Sequence, residues 1–270
     1  MQKESAFFQI LLYCLCTVLV VLYVNLYVVW GFVNQLLPPA AMEVLPVVAV
    51  FVFVVVVLFC YARNKQNISK MSWYMVGMGG ALCLFALLLP DGQFPVKRVH
   101  VVEYMLLACL VRYTMSWRLH GTALLFFSVL VTVLFGIHDE LLQGIHPSRT
   151  YGLRDILVNS VAAVGGGFIW HGGSLFVRLG NFSQKMVGRK EYKLVAIYLC
   201  WLCLSVLAFI IPLTAYRQEV IPYWPLLPIS AGLVLWSMYS AELHDHLKYG
   251  CSVVSCLIYT FLVYPVVINV

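Results

Sequence analysis

The sequence predicts an all-α protein, a polytopic bundle of about nine transmembrane helices. Of the 270 residues, 63% are hydrophobic and only 10% are charged, whereas a soluble domain carries about 25% charged residues. The apolar residues form long runs, and basic residues separate these runs. A water-soluble core could not cover so much apolar surface, so we expect the lipid bilayer to solvate most of the chain.

Each predicted span is an apolar run near the length that a bilayer requires, about 17–25 residues. Backbone groups must bond to one another in lipid, so even the β-branched run at residues 50–57 is predicted as a helix. We group the spans into two N-terminal helices (1–72), a four-helix core (73–176) and three C-terminal helices (177–270). The predicted spans are Phe7–Val29, Val44–Tyr61, Trp73–Leu89, Val99–Ser116, Thr122–Ile137, Asp155–Phe176, Leu194–Leu213, Tyr223–Ala241 and Ser252–Ile268.

Three spans need individual justification. Phe7–Val29 exceeds the apolar core of a signal peptide, about 7–15 residues, so we predict a membrane helix there. Thr122–Ile137 is short for a span, and Tyr223–Ala241 carries Pro225 and Pro228 near its start. The nine cysteines lie in or beside apolar runs, including the Cys200-x-x-Cys203 pair, which is typical of small buried residues.

The Lys and Arg residues predict the orientation, because cytoplasmic loops are enriched in them. An N-terminus inside and a C-terminus outside place most basic residues in the cytoplasm, and the five between Arg178 and Lys193 weigh most. The net charge of +6 could also indicate nucleic-acid binding. Basic residues placed between apolar spans argue against it, so we predict a plasma-membrane protein with no nucleic-acid partner.

Polar residues gather in two segments that this topology places on the outer side. The first runs from Lys97 to Tyr104, and the second from His138 to Asn159. Ionisable groups at or within a membrane are expensive and indicate function by default. The candidate site residues, called the polar cluster below, are His100, Glu103, Tyr104, Asp139, Glu140, Gln143, Arg149, Asp155 and Asn159.

Helical spacing groups several members of the polar cluster. His100, Glu103 and Tyr104 lie at i, i+3 and i+4 and so share one face of a helix, and Asp155 and Asn159 are also four residues apart. The run Gly165-Gly166-Gly167 follows Asn159, and small residues let membrane helices pack closely. We therefore expect the sixth span to bring Asp155 and Asn159 near the fourth or fifth. Lys97 and Arg98 fit solvated charges whose side chains snorkel to the interface.

The order and spacing of these residues resemble the signature of VanZ-like membrane proteins. The resemblance is carried by Asp139-Glu140-x-x-Gln143-x-x-x-Pro147-x-Arg149, then Asp155-x-x-x-Asn159 and a glycine run, preceded by Lys97-x-x-His100-x-x-x-Tyr104. It covers about residues 73–176. The family is named for a protein that gives low-level resistance to teicoplanin, a lipid-bearing glycopeptide. It is distantly similar to membrane enzymes that act on lipid head groups.

The resemblance implies an enzyme of the cell envelope that acts on a phosphate-containing lipid head group at the outer membrane face. Arg149 suits a phosphate, and His100 or His138 suits a base or nucleophile. Gln143 and Asn159 would hydrogen-bond the substrate, and Tyr104 would donate a hydrogen bond or a proton. The carboxylates could hold a divalent cation or orient the histidine, and they are Glu103, Asp139, Glu140 and Asp155.

Two other hypotheses remain open. The same residues could bind a membrane lipid or lipophilic glycopeptide without chemistry, or serve a transporter, since carboxylates with histidine also form proton relays. They could also be structural, with Arg149 paired to Glu103 or Asp155. Separately, Glu242 and His246 are spaced i, i+4, which permits a metal site, although a solvated loop is the simpler interpretation.

Overall fold

The computed structural model describes residues 2–63, 72–90, 95–145, 152–178, 188–215 and 222–268. Within these ranges the chain folds entirely into helices and connecting turns, as predicted, and it contains no strand. Short 3-10 helices cover Pro95–Arg98, Ser240–Glu242 and Thr260–Val263. The α-helices are α1 (Gln2–Leu36), α2 (Pro39–Arg63), α3 (Trp73–Leu88), α4 (Val99–Met115), α5 (Gly121–Ile145), α6 (Leu153–Gly172), α7 (Arg189–Ala215), α8 (Leu226–Tyr239), α9 (Asp245–Tyr259) and α10 (Tyr264–Ile268).

Four of the described helical segments are long and apolar enough to cross a membrane: Ala6–Leu36, Gly121–Ile145, Arg189–Pro212 and Asp245–Val263. Two shorter apolar segments, Val44–Val57 and Trp73–Leu88, accompany them. Large apolar side chains of α1, α2 and α3 are exposed, which fits contact with lipid. The helices therefore indicate a membrane protein, but their lengths do not support the predicted number of nine spans.

Several helices extend beyond the predicted spans; α1, for example, ends at Leu36 and not at Val29. Two of the wrong boundaries share one physical reason. We predicted that the fifth span ends at Ile137, but α5 continues to Ile145 and carries the polar residues from His138 onward. We predicted that the ninth begins at Ser252, but α9 begins at Asp245. A polar run was interpreted as a loop in both cases, although a helix continues through polar residues when neighbouring groups satisfy their side chains.

The chain divides into two units, and the first comprises Met1–Gln143 and Gly152–Arg178. In this unit α3 and α4 pack along α6, while α1 and α2 pack against α4. Trp170 of α6 donates a hydrogen bond from Nε1 to the carbonyl oxygen of Met105 in α4 at 2.9 Å. The glycines of α6 explain how these helices approach so closely.

Gly165, Gly166 and Gly167 each face a different helix. A Cβ atom on Gly165 would lie 2.6 Å from the Sγ of Cys83 in α3, and one on Gly166 would lie 3.0 Å from the Cα of Met105 in α4. A Cβ on Gly167 would clash with Val129 of α5. Only glycine permits these approaches. The expectation that this small-residue run brings α6 close to the fourth or fifth span is confirmed, and α6 also packs extensively on α3, which was not predicted.

The second unit comprises Gly144–Tyr151 and Leu179–Val270. Its helices α7, α8 and α9 pack against one another. The hydroxyl groups of Tyr198 and Ser255 lie 2.7 Å apart between α7 and α9, and Trp201 donates from Nε1 to the carbonyl oxygen of Pro228 at 2.9 Å. These contacts satisfy polar groups inside a largely apolar unit.

Candidate functional site

The polar cluster lies at the end of the first unit where α4 and α6 begin and where the polar end of α5 lies. Tyr104 is five residues after the start of α4, Asn159 is six after the start of α6, and Asp139 is six before the end of α5. At 1.5 Å per residue, these positions lie about 7–9 Å from the helix ends. Three separate helices therefore contribute polar side chains at similar depths.

His100 and Glu103 form a pair on the first turns of α4, as their i, i+3 spacing predicts. The Nδ1 atom of His100 lies 2.6 Å from Oε2 of Glu103, and the Glu103 side chain is buried. Tyr23 of α1 donates its hydroxyl hydrogen to the backbone oxygen of Glu103 at 2.9 Å. Tyr23 could not be singled out from the sequence, because it is one of several aromatic residues in an apolar span.

Tyr104 connects α4 to α5. Its hydroxyl group donates to Oδ2 of Asp139 at 2.9 Å, and both residues are fully buried. Gly136, one turn before Asp139, makes room for this contact, because a Cβ there would lie 3.1 Å from the Tyr104 ring and 3.0 Å from the Cβ of Asn159. The absence of a side chain at residue 136 thus lets α4 and α6 approach α5 together.

Glu140 connects α5 to α6. Its Oε1 atom accepts hydrogen bonds from Nδ2 of Asn159 at 3.3 Å and from Nε2 of Gln143 at 3.5 Å. Glu140 and Asn159 have no exposed surface, and Gln143 is also buried. His138, the other candidate base, is buried on the same helix.

Asp155 pairs with Lys97, whose Nζ lies 2.5 Å from Oδ2 of Asp155. The Lys97 side chain is 35% exposed and that of Asp155 only 9%. Lys97 was interpreted as a snorkelling surface charge, and this contact corrects that interpretation, because Lys97 holds the start of α4 to the first turn of α6. Arg149, the phosphate ligand and ion-pair partner expected from the sequence, lies outside the described residues.

Four buried oxygen atoms of the cluster have no hydrogen-bond partner in the described part of the chain. They are Oδ1 of Asp139, Oε2 of Glu140, Oδ1 of Asp155 and Oδ1 of Asn159. All four are acceptors when the three carboxyl groups are ionised. A buried acceptor without a donor loses its hydration without compensation, so each such atom requires an explanation.

The sequence also suggested that the carboxylates could hold a divalent cation. Among the residues that the structure describes, no group of three or more His, Cys, Asp or Glu side chains is placed to hold a metal ion. Glu242 accepts from Lys190 at 2.9 Å, and the rings of His244 and His246 stack with centroids 5.2 Å apart. Glu242 lies in a 3-10 helix before α9, so Glu242 and His246 are not i, i+4 neighbours on one helix.

Arg112 belongs to the opposite end of α4. Its Nε donates to the carbonyl oxygen of Leu175 at 3.1 Å, and its Nη1 lies 3.2 Å from Nδ1 of His171. The segment after α6 holds two non-glycine residues at positive φ, Ser174 and Phe176, both at 52°. These contacts fasten the chain leaving α6 to α4, away from the polar cluster.

No protein-family model matches the sequence, and neither a curated protein nor a solved structure matches it. The resemblance to VanZ-like proteins stays a prediction that rests on the spacing of the residues in the polar cluster.

Proposed function

We propose that this chain is an integral protein of the plasma membrane, with its N-terminus in the cytoplasm and its C-terminus and polar cluster on the outer side. Four helices of sufficient length and apolar character support membrane insertion. The basic residues between Arg178 and Lys193 support the orientation. The nine-span count belongs to this proposed topology and requires the shorter apolar helices to cross as well.

The polar cluster, in this proposal, acts on the phosphate-containing head group of a membrane lipid. One observation carries the proposal: the His100–Glu103 pair lies on the same turns of α4 as Tyr104, which bonds Asp139. An imidazole held by a carboxylate is an arrangement that suits general base catalysis, because the carboxylate fixes the ring and its tautomer. The hydroxyl group of Tyr104 offers a second group for proton transfer beside the imidazole.

A phosphate group would meet positive charge at the exposed side of the cluster. Lys97 is partly exposed and held in place by Asp155, and Arg149 would add a planar guanidinium if it lies nearby. A divalent cation would bring charge to the carboxylates, whose oxygens are suitable ligands. The described side chains do not form a metal-binding group, so no step of the reaction is assigned to a metal.

The similarity to VanZ-like proteins supports a lipid or a lipophilic glycopeptide as the partner, and it links the chain to glycopeptide resistance. This support is independent of the geometry, because it rests on the order of residues along the chain. Carrying an activity across such a distant relation is an analogy.

A second candidate function is binding without chemistry, either of a lipid or antibiotic or within a transporter. The unpartnered oxygens of Asp139, Glu140 and Asn159 favour it, because they could receive donors of a ligand that is never cleaved. Buried carboxylates on facing helices are also found in proton relays.

One experiment separates these functions. Purified full-length protein is incubated with a bacterial phospholipid extract, with and without Mg²⁺ or Ca²⁺, and lipid head groups are followed by mass spectrometry. We expect conversion by the wild type and its loss in His100→Ala, Asp139→Ala and Arg149→Ala at unchanged membrane abundance. Glu242→Gln, at an exposed ion pair in the second unit, is the control.

The outcomes differ for each hypothesis. No conversion under any condition would contradict the enzyme and leave the binder, the transporter and the structural role. Loss of membrane abundance in proportion to loss of activity would favour a structural role for the cluster. Full activity in all three variants would contradict both site hypotheses.

A further inference from the structure

The unpartnered oxygens of the polar cluster carry information about its ligand. Three belong to carboxyl groups, those of Asp139, Glu140 and Asp155, and the fourth belongs to the neutral amide of Asn159. Asn159 has no exposed surface. The oxygen of this neutral amide is buried and accepts no hydrogen bond from the described residues. Positive charge alone would not satisfy it, so the ligand should carry N–H or O–H groups.

The hydrogen bonds fix which atom of the Asn159 amide is the acceptor. Its Nδ2 donates to Oε1 of Glu140, and reversing the amide would place two acceptors against each other. The Oδ1 atom is therefore the one that faces away from this bond. The unpartnered oxygens of Asn159 and Glu140 thus belong to two groups that are already in contact.

The remaining two oxygens add one further acceptor on each of the same two helices, α5 and α6. Asp139 is adjacent to Glu140 in α5, and its Oδ2 is occupied by Tyr104, which leaves Oδ1. Asp155 lies one turn before Asn159 on the same face of α6, and its Oδ2 is occupied by Lys97. Each carboxyl group uses one oxygen within the protein and leaves the other for a donor.

The charges define the ligand further. Four carboxyl groups, those of Glu103, Asp139, Glu140 and Asp155, share the site with Lys97 and His100. Buried carboxylates are stable only when they are paired and hydrogen-bonded, so a cationic donor fits this surface better than a neutral hydroxyl group. A primary ammonium supplies one positive charge and three N–H donors.

A metal ion fits less well. Metal ligands must converge at about 2.0–2.6 Å on a single point, and the described side chains do not form such a group. Hydrogen bonds of about 2.7–3.2 Å from separate N–H groups reach acceptors that are spread over two helices.

We propose that the polar cluster, where α4, α5 and α6 meet, binds a primary ammonium group through Asp139, Glu140, Asp155 and Asn159. The inference rests on the proposed lipid function and narrows its substrate to phospholipids with a primary amine in the head group. The phosphate meets Lys97 at the exposed side, and the amine meets the buried carboxylates. A zwitterionic head group thereby matches the order of charges from the surface inwards.

The test varies the ligand, so it does not depend on whether a variant folds. Purified full-length protein in detergent micelles is titrated with short-chain phosphatidylethanolamine, its N-methyl and N,N-dimethyl derivatives, and phosphatidylcholine. The four ligands keep the positive charge and carry three, two, one and no N–H donors. We expect affinity to fall by at least about tenfold from the first to the last, since a hydrogen bond to a charged group contributes about that factor.

A matched pair of variants locates the effect. Glu140→Gln keeps the shape of the side chain and an acceptor for Asn159 but removes the charge, and we expect it to lose most of the discrimination. Glu242→Gln removes a carboxylate in the second unit and should retain the wild-type order of affinities for the four lipids. Equal loss of discrimination among the four lipids in both variants would overturn the assignment of the ammonium site to the polar cluster.

Other results would also overturn the proposal. Equal affinity for all four lipids would exclude recognition of the N–H groups. If the protein binds Mg²⁺ without lipid and Glu140→Gln abolishes this binding, the polar cluster is a metal site. If mass spectrometry shows that a head group is converted while the four affinities are equal, the ammonium site is contradicted and the enzymatic function stands. Graded affinity without conversion would support the ammonium site and contradict the enzyme.

Discussion

Replacing Gly79 with alanine should loosen the contact between α3 and α6. A Cβ atom on Gly79 would lie 2.6 Å from the carbonyl oxygen of Gly165 and 2.9 Å from the backbone nitrogen of Ile169. Both neighbours are backbone atoms, which no side-chain rotation can move. Ordinary contacts of a Cβ lie at 3.4–4 Å, so the two helices must separate.

Gly77 on the same helix provides the matched control, because a Cβ there meets nothing within 4 Å. Alanine stabilises a helix interior by about 0.5–1 kcal/mol relative to glycine, and this gain is common to both variants. The difference between Gly79→Ala and Gly77→Ala therefore isolates the cost of overpacking, about 1–3 kcal/mol. For a chain of this size, that corresponds to a difference in unfolding midpoint of roughly 2–5 °C.

The measurement is thermal unfolding of each purified variant in the same detergent, followed by intrinsic tryptophan fluorescence. We expect Gly77→Ala to unfold at or slightly above the wild-type midpoint and Gly79→Ala well below it. If the two variants unfold within about 1 °C of each other, α3 and α6 do not approach as closely as their backbones indicate, and the reasoning fails.

Three further predictions concern single contacts. Tyr104→Phe removes the donor to a buried oxygen of Asp139 and should lower the free energy of unfolding by about 1–3 kcal/mol in a denaturation assay, while an unchanged value would contradict this bond. Lys97→Met and Asp155→Asn, measured singly and together, should show a coupling free energy of about 1 kcal/mol, and purely additive effects would argue against the ion pair. Ser174→Gly should raise the free energy of unfolding by about 0.5–1 kcal/mol, because its φ of 52° is strained for serine, and a destabilised variant would contradict this.

The all-helical fold followed from the sequence because hydropathy and backbone satisfaction leave few alternatives in lipid. The start of α4 at Val99 and the His100–Glu103 contact were also predictable, since both depend only on local spacing. The ends of the helices were harder to predict from the sequence. His138, Asp139 and Glu140 have the composition of a loop, and only the surrounding helices make their burial on α5 tolerable.

Partners across the fold could not be predicted from spacing. A pairing of Asp155 with Arg149 was one structural alternative, and it stays untested, whereas the described partner of Asp155 is Lys97, 58 residues away. The role of Gly136 also escaped prediction, because an isolated glycine in an apolar run carries no signal of what packs against it. Such contacts depend on the relative placement of three helices, which the sequence alone does not encode in any local pattern.

The three consecutive glycines of α6 set the rotational phase of that helix, because each is fitted to a different neighbour. A Cβ at residue 165, 166 or 167 would lie 3.0 Å or less from an atom of α3, α4 or α5 respectively, so the three positions mark which side of α6 faces each neighbour. One extra residue between Ser160 and Gly165 would keep these three contacts but rotate the preceding part of α6 by about 100° about the helix axis. Asn159 would then leave Glu140, and the polar cluster would come apart although no member of it had been changed.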